Sequence, residues 1–409
     1  MGRFGLLGEP LSHSFSPFIH GELSNYEYRL YEKKPDELSR FFTNPEFDGI
    51  NVTMPYKKDV IPYCKSLSKT AQFIGSVNTI LRQPDGTFHG DNTDIYGFAY
   101  LLKRTGIDVS DGKIIILGGG GSSLTVQAVF QEMNLQETVV ISRRGVDNYE
   151  NIHKHYDAKV IVNTTPVGMY PDNWVSPIDL KMFRHCRAVI DLIYNPRRTE
   201  LLLQAEELGI ANQNGLSMLV AQAKKAAELF TNAPIDDSKI EEIITKIDNR
   251  TRNIVFIGMP GCGKTSIGKA LSEKMGREFV DSDDLIVQLS GKSIPDIFAE
   301  DGEEVFRKIE TDALKILCKR SCLIIATGGG IVTQPRNKNI IRQNSIVVYL
   351  DRNITELPLS NRPVSIRDGV EALAAVRLPL YEQWSDVKLP VQDIEQMVDQ
   401  LSSMLSGGE

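Results

Sequence analysis

The apolar positions of this chain fall into short runs that alternate with stretches of helical periodicity. Short apolar runs bounded by glycine are typical of buried strands in a parallel sheet, and the stretches between them suit covering helices. We therefore predict an α/β fold built mainly on parallel sheets. Three runs end directly in a glycine-rich segment: 113–117 before 118–121, 253–257 before 258–265, and 322–326 before 327–330.

The main domain boundary is predicted after a long helical stretch. Apolar residues recur at helical spacing from residue 215 to 247, and residues 248–252 are polar. A new strand pattern begins at residue 253, so this linker is too short to be a long flexible tether. The length of 409 residues also predicts more than one folding unit.

Composition and charge restrict the class of protein. Apolar residues make up 41 % and charged residues 24 %, as in ordinary globular proteins, and the net charge of −7 argues against a nucleic-acid partner. No apolar run approaches the ~18 residues of a membrane-spanning helix, and residues 1–4 lack the apolar core of a secretory signal. Five cysteines without paired-ligand spacing fit a reducing compartment, so we expect a cytoplasmic protein.

The second glycine-rich segment matches the P-loop pattern, Gly258-x-x-x-x-Gly263-Lys264-Thr265, between a predicted strand and a predicted helix. In such a loop backbone N–H groups surround the phosphates, the lysine neutralises them and the threonine hydroxyl holds Mg²⁺. ATP and Mg²⁺ are the expected cofactors, because the guanine-reading Asn-Lys-x-Asp pattern is absent from the sequence. The residues predicted to contact the nucleotide are Gly261, Cys262, Gly263, Lys264, Thr265 and Ser266.

Residues 253–400 resemble shikimate kinase over the whole segment. Beside the P-loop, the resemblance rests on Asp281-x-Asp283, Gly302-Glu303-x-x-Phe306-Arg307-x-x-Glu310, Thr327-Gly-Gly-Gly330, Arg362-Pro363 and Arg377-x-Pro379-Leu380-Tyr381. It implies a nucleoside-monophosphate-kinase-like domain over 251–409 that phosphorylates shikimate. The stretch from 349 to 362 is shorter than the lid that is usual in that family.

The resemblance also implies roles for individual residues. Asp281 would position Mg²⁺ together with Thr265, and Asp283 would bind ring hydroxyls beside the attacking oxygen. Guanidinium groups suit the carboxylate of shikimate because they form two parallel hydrogen bonds. The remaining implied residues are Arg307 and Arg377 for the carboxylate, Gly328, Gly329 and Gly330 for the ring, and Arg362 on the lid for the ATP phosphates.

The first glycine-rich segment indicates a dinucleotide site. It follows a strand and opens a helix, although Ser123 stands where a full Gly-x-Gly-x-x-Gly pattern has its last glycine. The next strand ends in a serine and two arginines rather than an acidic residue, which favours NADP(H) over NAD because guanidinium groups suit the 2′-phosphate. The predicted cofactor contacts are Gly118, Gly119, Gly120, Gly121, Ser122, Ser142, Arg143, Arg144 and Gly215.

Residues 1–247 resemble shikimate dehydrogenase over their full length. The motifs are Gly8-x-Pro10-x-x-His13-Ser14-x-Ser16-Pro17, Asn51-Val-Thr53-x-Pro55-x-Lys57, Gly75-x-Val-Asn78-Thr79, Gly90-Asp91-Asn-Thr-Asp94, Asn163-Thr-Thr-Pro-Val-Gly-Met169, Asp191-x-x-Tyr194-x-Pro196 and Gly215-x-x-Met218-Leu-x-x-Gln222-Ala223. The resemblance implies an α/β substrate domain over 1–100, completed by helices in 215–247, and a Rossmann-like NADP domain over 101–214.

In that family a lysine and an aspartate form the catalytic pair, which the motifs place at Lys57 and Asp94. Lys57 would give a proton to the alkoxide that forms when a hydride reaches the ring carbonyl, and Asp94 would orient the lysine. The implied substrate contacts are Ser14 and Ser16 for the carboxylate, and Thr53, Asn78, Asp94, Tyr194 and Gln222 for the rest of the molecule. The histidines at 153 and 155 are expected to be exposed and to have no role.

The sequence therefore predicts a bifunctional enzyme of the shikimate pathway. Its substrates would be 3-dehydroshikimate, reduced with NADPH, and shikimate, phosphorylated with MgATP. Three alternatives stay open: a first half that only senses a ligand, a dehydrogenase that prefers quinate, and a P-loop regulator that hydrolyses ATP without an alcohol acceptor. The sequence leaves the oligomeric state open.

Overall fold

A computed structural model of the protein describes residues 2–11, 14–110, 112–135, 137–357 and 369–406. The chain divides into two compact units. None of the helices in these ranges combines the length and the apolar character that crossing a membrane requires. The first unit comprises Met1–Met169, Trp174–Tyr194 and Gln204–Ile244, and the second comprises Tyr170–Asn173, Asn195–Leu203 and Thr245–Glu409.

The first sheet has six strands in the order β2-β1-β3-β5-β6-β4. β3 pairs antiparallel with β5 and β5 with β6, whereas the other neighbours are parallel. The central strand β3 is buried along its whole length, which explains its apolar character. The strands are β1 Arg3–Gly8, β2 Glu27–Glu32, β3 Gly49–Val52, β4 Ser66–Leu67, β5 Thr79–Arg82 and β6 Phe88–Asp91; the helices around them are α1 Ser16–Leu23, α2 Leu38–Thr43 and α3 Lys69–Ile74.

The second sheet is wholly parallel, with the order β11-β10-β9-β7-β8, and this confirms the predicted α/β architecture. β7 is buried throughout and lies between β8 and β9, so the chain leaves its carboxyl end at a topological switch point, where such sheets bind ligands. The elements are α4 Asp94–Thr105, β7 Ile114–Leu117, α5 Gly121–Glu132, β8 Thr138–Ile141, β9 Val160–Asn163, β10 Ala188–Asp191, α6 Glu200–Glu207 and β11 Ala211–Gln213.

The helical stretch predicted over 215–247 is two helices, α7 Leu216–Thr231 and α8 Ser238–Thr251. α7 ends at Asn232, whose φ of 50° is left-handed, and Pro234 then prevents continuation. α8 runs through most of the expected linker 248–252, so the polar residues there form a partly buried last turn of a helix rather than a loop. The long C-terminal segment of the second unit begins at Thr245, within α8.

The third sheet is also wholly parallel, in the order β13-β14-β12-β15-β16. The P-loop follows the central strand β12. β14 pairs with β12, and β13 pairs with β14, so both strands end at the same edge and bring the residues that follow them towards the P-loop. The elements are β12 Asn253–Ile257, α9 Lys264–Met275, β13 Phe279–Asp281, α10 Ser282–Ser290, α11 Ile294–Asp296, α12 Gly302–Lys319, β14 Ile324–Ala326, α13 Arg336–Arg342, β15 Ser345–Asp351, α14 Val370–Trp384, β16 Val387–Pro390 and α15 Ile394–Ser406.

Candidate active sites

A lysine and an aspartate meet in the first unit. Lys57 lies in the turn after β3, Asp94 is the first residue of α4, and Lys57 Nζ donates to Asp94 Oδ2 at 2.5 Å. The second carboxylate oxygen of Asp94 accepts from Asn78 Nδ2 at 2.9 Å. Both side chains are partly open to solvent, 26 % for Lys57 and 13 % for Asp94. A hydrogen-bonded ammonium group that substrate can still reach is suited to give up a proton.

Polar side chains from three elements surround this pair. Asn78 precedes β5, Thr53 follows β3, and Gln222 comes from α7, with its Oε1 3.4 Å from Asn78 Nδ2. Asn78 is only 3 % exposed, and its amide is largely engaged inside the protein. Tyr194 is partly buried after β10, and burial raises the pKa of its phenol, which keeps the hydroxyl neutral as a donor.

The two serines of the first motif form a second group. Ser16 begins α1, and its backbone N–H donates to Ser14 Oγ at 3.2 Å. Hydrogen bonds connect this group to the Lys57–Asp94 cluster, from Ser16 through Tyr28 to Asn51 and on to Asn78. Hydroxyls at the start of a helix suit a carboxylate ligand.

The glycine-rich loop after β7 is shaped for a pyrophosphate. Gly118 has a φ of 108°, and a Cβ there would lie 2.7 Å from Thr164 Oγ1, so only glycine fits. Gly119 faces Ser142, whereas Gly120 and Gly121 have open space where a side chain would be. α5 begins at Gly121 and leaves its first N–H groups directed out of the loop. The residues therefore fit a dinucleotide phosphate.

The residues after β8 fit the 2′-phosphate of NADP. Arg143 and Arg144 are exposed, and the turn that carries them is closed by Ser142 N donating to Asp147 O at 3.1 Å. His155 contradicts the expectation that it is exposed: its side chain is 12 % accessible, and its Nε2 lies 3.0 Å from Asp147 Oδ1. His155 thus stabilises the turn that carries Arg143 and Arg144.

Gly215 has a packing reason for being glycine. A Cβ at this position would lie 2.0 Å from Leu192 O, so the start of α7 lies against the chain that follows β10. This contact fixes the helix that carries Gln222. The cofactor contact of Gly215 stays a prediction.

The P-loop of the second unit has the backbone that its motif requires. Gly258, Gly261 and Gly263 all have positive φ, at 146°, 83° and 107°. Lys264 is 8 % exposed, and its Nζ donates to Gly258 O at 2.9 Å and Met259 O at 3.0 Å, so the ammonium lies over the loop. Cys262 is fully buried and Ser266 is exposed.

A hydroxyl and a carboxylate converge beside the P-loop. Thr265 Oγ1 donates to Asp281 Oδ2 at 2.9 Å, where α9 begins and β13 ends. Hard oxygen donors of this kind are the ligands that Mg²⁺ prefers. The pair therefore fits the metal of a P-loop nucleotide complex.

Buried charges form a cluster next to the metal pair. Asp283 Oδ1 is buried without a hydrogen-bond partner, and burial together with the nearby Asp281 raises the pKa of Asp283 to about 6. Arg307 donates to Glu310 at 2.9 and 3.1 Å, and its buried Nε has no partner. A Cβ on Gly328 would lie 3.1 Å from both Asp283 Oδ1 and Glu310 Oε1, which joins the two carboxyls into one site.

The remaining predicted residues of the second unit close the same cluster. Arg377 on α14 is 4 % exposed and hydrogen-bonds Tyr381, whose hydroxyl also donates to the carbonyl of Gly329. A Cβ on Gly330 would lie 2.4 Å from Arg307 Nη1, so glycine lets the guanidinium approach the backbone. Arg362 lies outside the described residues.

Glu310 has no role among those predicted from the sequence. The residue is 1 % exposed, and burial raises its pKa to about 7 although the adjacent Arg307 opposes the shift. A sequence signal for this pair was present: Arg307 and Glu310 are three residues apart on α12, a spacing that places them on one helix face.

A cavity of about 580 Å³ opens beside Arg307. It is lined by Glu303, Glu304, Arg307, Gln334, Pro335 and Arg336.

Comparison with known proteins assigns both parts of the chain. Residues 6–80 match the family model of the shikimate dehydrogenase substrate binding domain. A shikimate dehydrogenase (NADP(+)) of Clostridium perfringens is 32 % identical over 274 residues, which are 61 % of this chain and all of that protein. The chain belongs to the shikimate dehydrogenase family. Its residues 260–405 match the family model of shikimate kinase, so a kinase domain follows the dehydrogenase.

Solved structures agree with the dehydrogenase assignment. Shikimate dehydrogenase 1 of Peptoclostridium difficile is 35 % identical, with a TM-score of 0.55 over 60 % of this chain and 98 % of that one. The shikimate 5-dehydrogenase of Thermus thermophilus, solved with NADP(H) and shikimate, is 32 % identical, with a TM-score of 0.55 over 60 % and 99 % of the two chains.

Proposed function

We propose that the dehydrogenase part reduces 3-dehydroshikimate to shikimate with NADPH, and that the kinase part phosphorylates the 3-hydroxyl of shikimate with MgATP. The observation that carries the first activity is the contact of 2.5 Å between Lys57 Nζ and Asp94 Oδ2. The second rests on Thr265 and Asp281 beside the buried Oδ1 of Asp283 and the buried Arg307. A relative solved with NADP(H) and shikimate supports this choice of ligands.

In the reduction, NADPH supplies a hydride to the carbonyl carbon of the substrate. Lys57 gives a proton to the oxygen of that carbonyl, so that no free alkoxide has to form. Asp94 holds the Lys57 ammonium in place and is itself held by Asn78. Ser14 and Ser16 bind the substrate carboxylate, which fixes the ring relative to Lys57.

In the phosphorylation, Thr265 and Asp281 would hold Mg²⁺, and Lys264 would neutralise charge on the nucleotide phosphates. Asp283 accepts a hydrogen bond from the attacking hydroxyl, a role that fits a buried carboxylate oxygen with no other partner. Arg307 and Arg377 hold the substrate carboxylate. Positioning and charge neutralisation supply most of the rate enhancement in such transfers, so a strong base is not required.

The exposed Arg143 and Arg144 support NADP rather than NAD as the dinucleotide. All five cysteines are free thiols, which supports a cytoplasmic location.

The direct test is to measure oxidation of shikimate and of quinate by the full chain, each with NADP and with NAD. We expect the highest kcat/KM for shikimate with NADP. A preference for quinate, or for NAD, would overturn the assignment of substrate or cofactor. Oxidation of neither acid, with kinase activity intact, would favour a ligand-sensing first part.

A further inference from the structure

A network of buried polar side chains adjoins the Lys57–Asp94 pair. Its members are nearly or wholly buried, with exposed fractions of 5 % for Asn51, 3 % for Asn78, 0 % for Thr79 and 2 % for Thr93. Buried amides and hydroxyls need partners, and the direction of each hydrogen bond decides which atom faces its neighbour. Here the directions follow from two backbone groups.

The first backbone group is the N–H of Thr93, which can only donate. It lies 2.8 Å from Asn78 Oδ1, so the oxygen of this amide faces Thr93. The NH₂ group of Asn78 must then face the other way, where it donates to Asp94 Oδ1 at 2.9 Å. The reverse orientation would place two oxygens, one of them anionic, against each other.

The second backbone group is the carbonyl of Asn78, which can only accept. Asn51 Nδ2 lies 3.4 Å from it and 3.1 Å from Thr79 Oγ1, so the NH₂ side of Asn51 faces both oxygens. Thr79 Oγ1 therefore accepts from Asn51. Its single hydrogen is left for Asn78 Oδ1, at 3.0 Å.

We infer that Thr79, which lies beside the cleft residues but contacts neither Lys57 nor Asp94, is a positioning residue for the acid–base pair. Beside the Thr93 N–H, its hydroxyl donates to Asn78 Oδ1 at 3.0 Å and helps to fix the amide that orients Asp94. The hydroxyl of Thr93 also approaches this oxygen, at the longer distance of 3.2 Å. Asp94 in turn holds Lys57, so the hydroxyl acts on proton transfer through two intermediate side chains. The inference rests on the proposed dehydrogenase activity.

The test compares two substitutions of Thr79, one that removes the hydroxyl and one that keeps it. Thr79→Val keeps the shape and removes the hydroxyl, whereas Thr79→Ser keeps the hydroxyl and removes a methyl group. We expect kcat for 3-dehydroshikimate reduction to fall about tenfold or more in Thr79→Val, since small misplacements of catalytic groups are costly. The KM for NADPH should not change, and Thr79→Ser should remain within about threefold of the unmodified chain.

Two controls accompany these variants. Thr87→Val removes a hydroxyl that donates to Asp85, in the turn at the far end of the β5–β6 hairpin, and should leave both activities unchanged. NADPH binding, followed by cofactor fluorescence, reports whether the dehydrogenase part is folded. If Thr79→Val does not bind NADPH, Thr79→Cys replaces it, because a thiol is only a weak donor.

The outcomes separate this inference from the proposed function. An unmodified chain that does not oxidise NADPH with 3-dehydroshikimate would refute the proposed function. An active chain whose Thr79→Val variant keeps kcat within twofold would overturn the inference. The inference would also be overturned if Thr79→Ser lost as much activity as Thr79→Val, because packing rather than the hydroxyl would then matter. Where Thr79→Cys serves as the replacement, the same comparison is made with that variant.

Discussion

At the scale of single residues, two aspartates differ in their hydrogen-bond partners. Asp94 has a donor on each oxygen, Lys57 and Asn78, and it acts by holding the lysine. Asp283 has a buried oxygen without a partner, which leaves an acceptor for a substrate hydroxyl. Carboxylates of one chain can therefore orient a proton donor at one site and accept a hydroxyl at the other, and the neighbours decide which.

The first prediction concerns the proton donor. Lys57→Met keeps the length of the side chain and removes the ammonium group, so NADPH oxidation with 3-dehydroshikimate should slow by roughly 10²- to 10⁴-fold. Lys58→Met, at the exposed neighbouring residue, is the matched control and should retain the rate. Stopped-flow or steady-state absorbance at the NADPH band measures both. An active Lys57→Met variant would remove Lys57 from the chemistry.

The second prediction concerns the pH dependence of the kinase. The pKa of Asp283 is raised to about 6 and that of Glu310 to about 7, so both carboxyls gain a proton as the pH falls through this range. Protonated Asp283 can no longer accept the hydrogen bond of the substrate hydroxyl as a carboxylate, and protonated Glu310 is no longer an anionic partner for Arg307. We expect kcat/KM for shikimate to fall as the pH is lowered from about 7 to 5, in a coupled titration of the two groups.

A pH–rate profile at saturating MgATP measures this fall. In Asp283→Asn the rate should be low at every pH, whereas Asp284→Asn, at the exposed neighbouring carboxylate, should keep the profile of the unmodified chain. A flat profile between pH 5 and 8 in the unmodified chain would contradict the proposed roles of Asp283 and Glu310, because protonation of these carboxyls would then not affect the rate.

At the scale of elements, the carboxyl ends of parallel strands assemble the nucleotide sites. The loops after β7 and β12 both follow buried strands and both open a helix, α5 and α9. β14 lies beside β12 and β13 lies next to β14, and the parallel ends of these strands bring Asp281 and the glycines of 328–330 to the P-loop. The helix N-termini add donors for phosphate in each case.

The third prediction tests one contact between elements. Gly215→Ala places a Cβ where Leu192 O lies 2.0 Å away, so α7 must shift, and overpacking of this kind costs about 1–3 kcal/mol. Gly21→Ala in α1 meets nothing within 4 Å and should be neutral or stabilise the helix by up to about 1 kcal/mol. Thermal inactivation of the dehydrogenase measures both, with the kinase activity of the same sample as reference.

We expect Gly215→Ala to lose dehydrogenase activity at a lower temperature than the unmodified chain and Gly21→Ala to match or exceed it. Inactivation of Gly215→Ala at the unmodified temperature would mean that α7 accommodates the methyl group. The close contact at Leu192 would then not determine where Gln222 lies.

Much of this arrangement could be predicted from sequence because it depends on local patterns. Apolar runs before glycine identify β7 and β12, and the P-loop spacing identifies Lys264 and Thr265. The break at Asn232 was missed because apolar residues continue at helical spacing on both sides of it. The inferred role of Thr79 was missed for another reason: the direction of a hydrogen bond depends on residues distant in sequence, as Thr93 is from Asn78. The spacing of Arg307 and Glu310 indicated their ion pair, but the burial that raises the pKa of Glu310 depends on how the chain folds around it.

At the scale of the whole molecule, the chain joins two activities that recognise one compound. The acid made by the dehydrogenase is the acceptor of the kinase, although the two parts have different folds and, as proposed above, different binding groups for it. Serine hydroxyls are proposed for the carboxylate in the first part, and Arg307 and Arg377 in the second. Because the proposed residues of each site lie in one part, we expect the chemistry of each part to require only its own residues.

The fourth prediction follows from this independence. Lys264→Ala should abolish phosphorylation, because the P-loop ammonium is lost, while leaving NADPH oxidation unchanged. Lys57→Met should do the reverse. Separate assays of the two reactions on each purified full-length variant measure the effect. A loss of both activities in either variant would show that the two reactions depend on each other.

The most direct measurement is a coupled assay of the unmodified full-length chain with 3-dehydroshikimate, NADPH and MgATP, followed by mass spectrometry of the products. The account predicts that shikimate 3-phosphate accumulates and that omitting NADPH or MgATP abolishes it, with shikimate building up when only MgATP is left out. Consumption of NADPH or ATP without any shikimate 3-phosphate would contradict the account.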